Sequence, residues 1–162
     1  MSELEDVLER EVVSLDKIDR DILDILQVDA RSSASSIAEK VGMSVPAVAD
    51  RIKKLQDSAV ITGFTTMLNH RKVGLDVSAF ITVISESSSH YSEVVKKTNN
   101  SPEIIQCFTT TGNGSHVLLA LVEDTYSLEK LLRKIQGWPG VMRTETQIIL
   151  SSYKGINPLL IP

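Results

Sequence analysis

The chain has 162 residues, of which 42% are hydrophobic and 23% charged, and its mean hydropathy is close to zero. This composition is that of a globular protein with one domain or two small ones, and it includes no apolar run long enough to cross a membrane. The formal charge of −4 excludes a protein that binds nucleic acid by general polycationic attraction, so such a contact would need a local basic patch.

Two further features narrow the class of protein. The first fourteen residues, MSELEDVLEREVVS, are acidic and lack the basic start and apolar core of a signal peptide, so we expect an acidic extension at 1–14 on a soluble cytoplasmic protein. The single cysteine, Cys107, excludes an internal disulfide, and the three histidines lie far apart without metal-ligand spacing. The sequence therefore predicts neither a bound metal nor a cofactor.

Residues 15–63 predict three short helices. The run LDKIDRDILDILQ has apolar residues at helical spacing, and two aspartates are placed as a capping pair at its start. A second helix is predicted to begin near Ser33 or Ser35 and to end at Gly42, because glycine tolerates the left-handed backbone that often closes a helix. Short helices joined by tight turns indicate a helix-turn-helix rather than an up-down bundle.

The third predicted helix, within VGMSVPAVADRIKKL, carries the first candidate site. Ser44 can cap its N-terminus, and its apolar stripe consists of Val45, Val48, Ile52 and Leu55. The opposite face is small near the N-terminus and basic toward the C-terminus, which suits the major groove of DNA. The residues assigned to a DNA contact on this helix are Ser44, Ala47, Asp50, Arg51, Lys53 and Lys54.

The residues alone leave two interpretations of this basic face open. A short charged run is commonly the solvated side of an amphipathic helix. In a DNA-binding helix, the basic side chains would instead reach phosphates. Asp50 would then accept a hydrogen bond from a cytosine amino group or order Lys54 one turn away, and the basic run at 70–72 would extend the contact.

From Val60 onward the pattern changes to strands. VITGFTTML predicts a strand that leads through HRKVGLD into a second domain, and we place this strand and linker at 64–76. Over 77–162, VSAFITVIS, IIQCFTTT, HVLLALV and VMRTETQIILSS predict four strands, while HYSEVVKKTNN and SLEKLLRKI predict two helices.

This order predicts a ferredoxin-like βαββαβ domain, whose four-stranded antiparallel sheet has both helices on one face. The other face must meet water, a partner or a second copy. The apolar run VLLALV favours self-association, although an ordinary buried central strand gives the same pattern.

Several motifs follow one another in a characteristic order: L-D-x-x-D-x-x-I-L, D-x-R, V-G-[LM]-S, R-[IV]-[KR]-[KR]-L and I-x-G-[FY]. Together they closely resemble the N-terminal helix-turn-helix of the Lrp/AsnC family, the leucine-responsive or feast/famine transcriptional regulators. The second half resembles the family's ligand-sensing RAM domain, including a glycine-bearing turn before HVLLALV and P-G-V before the last strand. The resemblance extends from Leu15 to the end of the chain.

The resemblance implies an α+β protein with an N-terminal helix-turn-helix (winged-helix-like) domain and a ferredoxin-like sensing domain. Its function would be sequence-specific regulation of transcription, without enzymatic activity. Its partners would be double-stranded DNA, further copies of itself in a homodimer or a larger ring such as an octamer, and an amino acid or other small metabolite bound between sensing domains. The helix from Ser44 would be the recognition helix, while Ser33 and Ser35 would contact the DNA backbone.

The resemblance places the effector at the turn before HVLLALV, where this chain departs from the family. Leucine-responsive relatives carry a turn similar to G-D-x-D-[YF], and this chain has GNGSH, so the acidic groups that favour an α-ammonium are missing. The glycines keep a tight turn whose backbone amides can face a carboxylate, but a polar hairpin without any ligand gives the same pattern. The residues assigned to effector binding are Thr111, Gly112, Asn113, Gly114, Ser115 and His116.

Three other functions fit parts of the sequence. Siroheme decarboxylases resemble the same family, and His116 and Arg143 are the candidates here for a tetrapyrrole site. An architectural protein that coats DNA without an effector would share the same helix-turn-helix. A metabolite sensor whose DNA-binding half is vestigial would share the second domain.

Overall fold

The computed structural model describes residues 12–162, which form two compact units. The first unit comprises 12–66 together with Lys154–Pro162, and the second spans Met67–Tyr153. The acidic extension predicted at 1–14 lies outside the described residues except for its last three. Among the described residues, no helix is long and apolar enough to span a membrane.

The first unit contains the three predicted helices: α1 (Lys17–Val28), α2 (Ala34–Val41) and α3 (Val45–Asp57). Ile22, Ile37 and Val48, one from each helix, are fully buried at its centre. Burying an aliphatic side chain of this size contributes about 1.5–3 kcal/mol, so these contacts hold the three short helices together.

Local polar residues fix the helix ends, as predicted. At the start of α1, the Asp19 amide donates to the Asp16 carboxylate over 2.8 Å and the Asp16 amide donates to the Asp19 carboxylate over 3.2 Å, which is a capping box. Ser33 and Ser44 cap α2 and α3 by accepting backbone hydrogen bonds in their first turns. Gly42 closes α2 with a φ of 69°, a conformation that other residues adopt only with strain.

The second unit has the predicted order of elements: β1 (Val77–Ser85), α4 (Tyr91–Asn99), β2 (Ile104–Thr109), β3 (His116–Val122), α5 (Thr125–Gln136) and β4 (Val141–Ile148). The strands form one antiparallel sheet in the order β2-β3-β1-β4, which is the predicted ferredoxin-like arrangement. In the central pair, Val77 lies opposite Val122 and Val83 lies opposite His116.

Helices α4 and α5 cover one face of this sheet. The core between them is formed mainly by Ala79, Ile81, Val83, Val94, Leu118, Ala120, Leu128, Leu131 and Ile135. Strand side chains alternate between faces, so the other face carries Phe80 and Phe108, which are 38% and 47% exposed. The single chain therefore leaves this sheet face uncovered.

One predicted strand is not formed. VITGFTTML, at 60–68, has no strand among its residues, and the following His70–Val73 make a single 3-10 turn. The predicted strand does not form within the single chain, because β-branched residues form a strand only beside a neighbouring strand that completes the ladder, and the described residues offer none to the segment. Phe64, Met67 and Leu68 are consequently at least half exposed.

The C-terminal segment Lys154–Pro162 groups with the helices, although the sequence assigned it to the second domain of 77–162. The Leu159 amide donates to Gln27 Oε1 over 2.6 Å, and Gln27 Nε2 donates back to the Leu159 carbonyl over 3.3 Å. Arg20 Nε donates to the Pro162 carbonyl over 2.9 Å, and Ile161 packs on the helical core. These contacts attach the segment to α1.

Candidate DNA-binding and effector-binding sites

The α3 helix turns one face to the helical core and leaves the other in solvent. Val48 and Leu55 are buried, whereas Lys53 and Lys54 are exposed. Four of the residues assigned to a DNA contact line a cleft of about 500 Å³ together with residues 13–15; they are Ala47, Asp50, Arg51 and Lys54. The structure thus brings half of the assigned residues to one surface.

Arg51 joins α3 to the start of α1. Its Nη1 donates to Asp16 Oδ2 and Asp19 Oδ1, both over 2.7 Å. These bonds raise the pKa of the Arg51 guanidinium, and the pKa of Asp16 is lowered, first by the Asp19 amide and then by Arg51. Both bonds use the same nitrogen of Arg51, so its other N–H groups remain geometrically available to a phosphate.

Asp50 and Lys54 form an ion pair of 2.9 Å along α3, which is the ordering contact predicted from their spacing. Lys54 lowers the pKa of Asp50, so this carboxylate stays ionised near neutral pH. Lys53 points into solvent and forms no ion pair within residues 12–162. Of the two lysines, Lys53 is therefore the one whose charge is not already compensated.

The N-terminal turn of α3 exposes residues that the sequence placed elsewhere. Val45 was predicted to join the apolar stripe but is 45% exposed, because core contacts begin one turn later at Val48. Pro46 and Ala49 are exposed beside it. The spacing of Pro46 and Ala49 from Val48 on a helical wheel is the signal that indicates their outward position.

Ser33 and Ser35 lie at the start of α2 rather than on α3. Their hydroxyl oxygens are 2.9 Å apart, and Ser33 accepts from the Ser36 amide over 3.2 Å. Both residues are exposed, so they can still face a DNA backbone. The free backbone N–H groups at the N-terminus of a helix also favour a phosphate.

The hairpin between β2 and β3 divides the residues assigned to the effector into two groups. Thr111, Gly112 and Asn113 are exposed, whereas Ser115 and His116 are buried. A Cβ atom on Gly114 would overlap the Thr82 side chain, so glycine allows the close approach of hairpin and sheet. Only the tip of the hairpin is accessible within one chain.

His116 is fully buried at the first position of β3, where its ring meets Tyr91 edge to face at 4.9 Å. The Ser115 hydroxyl donates to the Val83 carbonyl over 3.2 Å, which leaves His116 Nδ1, 2.9 Å away, to donate to the Ser115 oxygen. His116 Nε2 then has no hydrogen-bond partner among the described residues. Burial therefore lowers the pKa of His116 and keeps the ring neutral.

The two candidates for a tetrapyrrole site do not converge. His116 belongs to the helix-covered face of the sheet, while Arg143 pairs with Ile84 on the uncovered face and forms an ion pair with Glu145 at 3.0 Å. Cys107 is half-buried, and burial raises the pKa of its thiol. Within the described range, no three histidine, cysteine or acidic side chains are grouped to hold a metal ion.

Known proteins share both parts of this geometry. Residues 15–56 match the AsnC-type helix-turn-helix domain, and residues 77–159 match the Lrp/AsnC ligand binding domain. The HTH-type transcriptional regulator FL11 of Pyrococcus abyssi is 35% identical over 147 residues, which cover 91% of this chain and 97% of the relative.

Two solved structures extend the comparison. A feast or famine regulatory protein from Mycobacterium tuberculosis complexed with L-methionine has a TM-score of 0.85 and 32% identity, covering 92% of this chain and 100% of that one. A transcriptional regulator of Neisseria meningitidis in complex with L-methionine has a TM-score of 0.84 and 26% identity, covering 91% and 97%.

Proposed function

The chain belongs to the Lrp/AsnC family of DNA-binding transcriptional regulators, and we propose that it binds specific DNA sites through α3 as a homodimer modulated by an amino acid. The observation that carries the proposal is the exposed surface of α3, small at its N-terminus and basic at its C-terminus, above a packed helical core. A helix with this distribution places base contacts at one end and phosphate contacts at the other.

The residues of α3 divide into two kinds of contact. Lys53 and Lys54 supply phosphate contacts, and Arg51 adds a further one through the N–H groups that Asp16 and Asp19 leave unused. The base-facing residues of the proposal are Ser44, Val45, Ala47 and Asp50, together with backbone contacts from Ser33 and Ser35. Exposed Val45 has the apolar surface that a thymine methyl group favours.

The uncovered sheet face supports the homodimer. Phe80 lies beside Leu119, and Phe108 beside Val117, so apolar side chains from three strands form a continuous patch. A second copy of the same face would cover it by self-complementary contact, and two α3 helices would then address two half-sites. In this proposal the dimer is the unit from which a larger ring such as an octamer assembles.

The exposed segment before the second unit supports the same assembly. Phe64, Met67 and Leu68 present apolar surface in a stretch whose composition predicts a strand. The matching segment of a second copy would provide the missing ladder.

The effector part of the proposal rests on the ligand-binding domain and on two similar proteins whose structures are complexes with L-methionine. In this chain the accessible hairpin tip, Thr111 to Asn113, offers backbone amides and an amide side chain. Ser115 and His116 are buried at the base of the hairpin, so together with Gly114 they would support its conformation rather than contact the ligand.

The test is selection of DNA sites by the purified full-length protein at two salt concentrations. We expect a palindromic site whose affinity falls steeply with salt. In the double variant Lys53→Ala/Lys54→Ala, the slope of log affinity against log salt should decrease by about 0.9 for each phosphate that the protein no longer neutralises. Lys96→Ala/Lys97→Ala is the matched control, since it removes the same charge from the exposed side of α4.

Three outcomes would contradict parts of the proposal. Equal slopes for both double variants would show that α3 is not the DNA-facing helix. Long footprints without a preferred site, unchanged by amino acids, would identify an architectural protein. Recovery of no DNA would lead to titration with siroheme, where a Soret shift abolished by His116→Ala would support the enzymatic alternative.

A homodimer through the sheet is tested separately by sedimentation. Phe80→Glu places a charge in the centre of the patch and should yield monomers. Tyr126→Glu, also an exposed aromatic residue but on α5, should leave the oligomer intact. An unchanged oligomer in both variants would place the interface elsewhere.

A further inference from the structure

A second concave site lies in the ligand-binding domain, at the end of the sheet opposite the hairpin. It is a cleft of about 410 Å³ between the end of β3, the residues that lead into β2, and the first turns of α5. The hairpin meets β3 at His116 and the cleft meets it at Val122, so about 20 Å of strand separates them at about 3.4 Å per residue. The cleft is thus distinct from the hairpin tip.

The cleft combines both signs of charge with an apolar wall. Glu103 and Glu123 provide carboxylates, and Lys130 and Lys134 provide ammonium groups from successive turns of α5. Leu121 and Leu131 are among the apolar residues between them. Its volume lies within the range of about 300–1,000 Å³ that is usual for small-molecule sites.

Glu103 is incompletely satisfied within the described chain. Its Oε2 is shielded from solvent and accepts no hydrogen bond from residues 12–162, and its ion pair with Lys134 Nζ is long, at 3.5 Å. A shielded carboxylate oxygen that is held only by a long ion pair gains from a further donor, so a ligand that donates a hydrogen bond here would be stabilised.

Lys130, one turn before Lys134 on α5, is held in place by an aromatic contact. Its Nζ lies 4.4 Å from the centre of the Tyr126 ring, a cation–π contact that restricts the side chain without neutralising it. The cleft therefore has a carboxylate, Glu103, that can accept a further hydrogen bond and an ammonium group, Lys130, that is held in position. An anion alone would be repelled by the two glutamates, and a cation alone by the two lysines.

We propose that this cleft binds a free α-amino acid with an apolar side chain. The ammonium group of the ligand donates to Glu103, its carboxylate is held by Lys130 and Lys134, and its side chain packs on Leu121 and Leu131. This inference rests on the proposed modulation by an amino acid and gives the effector the acidic partner that the GNGSH hairpin lacks.

The experiment is calorimetric titration of the full-length protein with L-methionine as the probe. Two analogues separate the charged groups: N-acetyl-L-methionine lacks the ammonium group and L-methionine amide lacks the carboxylate. We expect L-methionine to bind and each analogue to bind at least tenfold more weakly, which corresponds to a decrease in binding free energy of about 1.4 kcal/mol or more.

Substitutions assign the binding to the cleft. Glu103→Gln and Lys134→Gln keep the size of the side chains and should each weaken L-methionine binding at least tenfold. Lys130→Ala, on the exposed side of α5, is a further variant that leaves the core untouched. Asn113→Ala separates the two candidate sites, since loss of binding in this variant alone would place the ligand at the hairpin tip. Lys96→Ala, on the exposed side of α4, is the control and should bind as the unmodified protein does, with circular dichroism confirming that each variant is folded.

The outcomes separate this inference from the proposed function. Abolished binding in Asn113→Ala with normal binding in the cleft variants would overturn the cleft and leave modulation through the hairpin intact. Equal binding of L-methionine and both analogues would show that the charged groups of the cleft do not select a zwitterion. Absence of any heat with L-methionine would overturn the cleft site, while DNA selection would still report independently on α3.

Discussion

The two units of this protein use polar side chains in opposite ways. In the helical unit, Arg51 holds Asp16 and Asp19 by ionised contacts at the protein surface. In the sheet unit, His116 is fully buried and neutral, and its Nδ1 is hydrogen-bonded to the neighbouring serine hydroxyl. Surface charges are screened by salt, whereas a buried titratable group responds to pH.

The DNA-binding and ligand-binding halves should therefore respond to different solution conditions. Each half also has its own hydrophobic core, one built from α1, α2 and α3 and the other between the sheet and its two helices. A substitution can therefore be directed at one half while the other half serves as the reference. Trp138 is a fluorescence probe of the sheet unit alone, because it is the chain's single tryptophan and is buried in the core of that unit.

Substitutions in the two hydrophobic cores should have the largest effect on the free energy of unfolding. Leu118→Ala should destabilise the sheet unit by about 2–5 kcal/mol, because it opens a cavity at a fully buried position. Urea unfolding followed by Trp138 fluorescence measures this destabilisation. Leu26→Ala is the matched variant in the helical core and should leave the Trp138 transition in place while lowering the helical circular dichroism transition. Identical shifts of both transitions would mean that the two cores unfold as one.

The next effect is a pH dependence confined to the sheet unit. The pKa of folded His116 is lowered from 6.5, so the unfolded state binds the proton first and stability falls as pH drops below that value. The slope contributed by one such group is at most about 1.4 kcal/mol per pH unit. Urea unfolding monitored by Trp138 from pH 7.5 to 5.5 measures it. His116→Phe should remove most of this dependence of unfolding free energy on pH, whereas the control His90→Gln should retain it. If the unfolding free energy of the unmodified protein does not change with pH, the His116 ring is not held neutral.

A smaller effect is expected from the C-terminal segment. Gln27→Ala removes two hydrogen bonds to Leu159, each worth about 0.5–1.5 kcal/mol net, and should loosen this segment from α1. Hydrogen exchange of the α1 and Leu159 amides reports the change. Asp24→Ala, at an exposed position of the same helix, serves as the control. If the Leu159 amide is as well protected from hydrogen exchange in Gln27→Ala as in the unmodified protein, the Gln27 hydrogen bonds do not hold the segment on α1.

The smallest effect on stability should come from Arg51, since contacts near the surface are weakened by solvent and salt. Arg51→Ala should lower the thermal midpoint of the helical unit at low salt, and the difference should shrink at high salt. Lys54→Ala, which breaks a more exposed pair with Asp50, should change the midpoint less. An unchanged midpoint for Arg51→Ala together with weaker DNA binding would show that Arg51 contacts phosphate rather than bracing α1.

Local sequence signals predicted much of the fold because their partners lie close in the chain. The Asp16–Asp19 capping box and the Ser44 cap each join residues three apart, and the Asp50–Lys54 pair joins residues four apart. The β-branched run VSAFITVIS and the apolar run VLLALV predicted β1 and β3 correctly, and glycine predicted the end of α2. Such contacts depend on a single element and its period.

The same signals were insufficient for the candidate sites. Val45 fits the apolar spacing of α3 but lies beyond the helices that would cover it. VITGFTTML has strand composition but no neighbouring strand within residues 12–162. In both cases the missing information is the position of another element, which a local pattern does not contain.

Residue spacing and short motifs were sufficient to predict the three helices of the first unit, the order of elements in the second unit and the family to which the chain belongs. The tertiary structure decided that Arg51 meets Asp16 across 35 positions and that His116 lies under Tyr91. It also brought Glu103 beside Lys134 at 3.5 Å. These pairs are far apart in the chain, and only the packing of separate elements sets which charges meet and which groups are shielded from water.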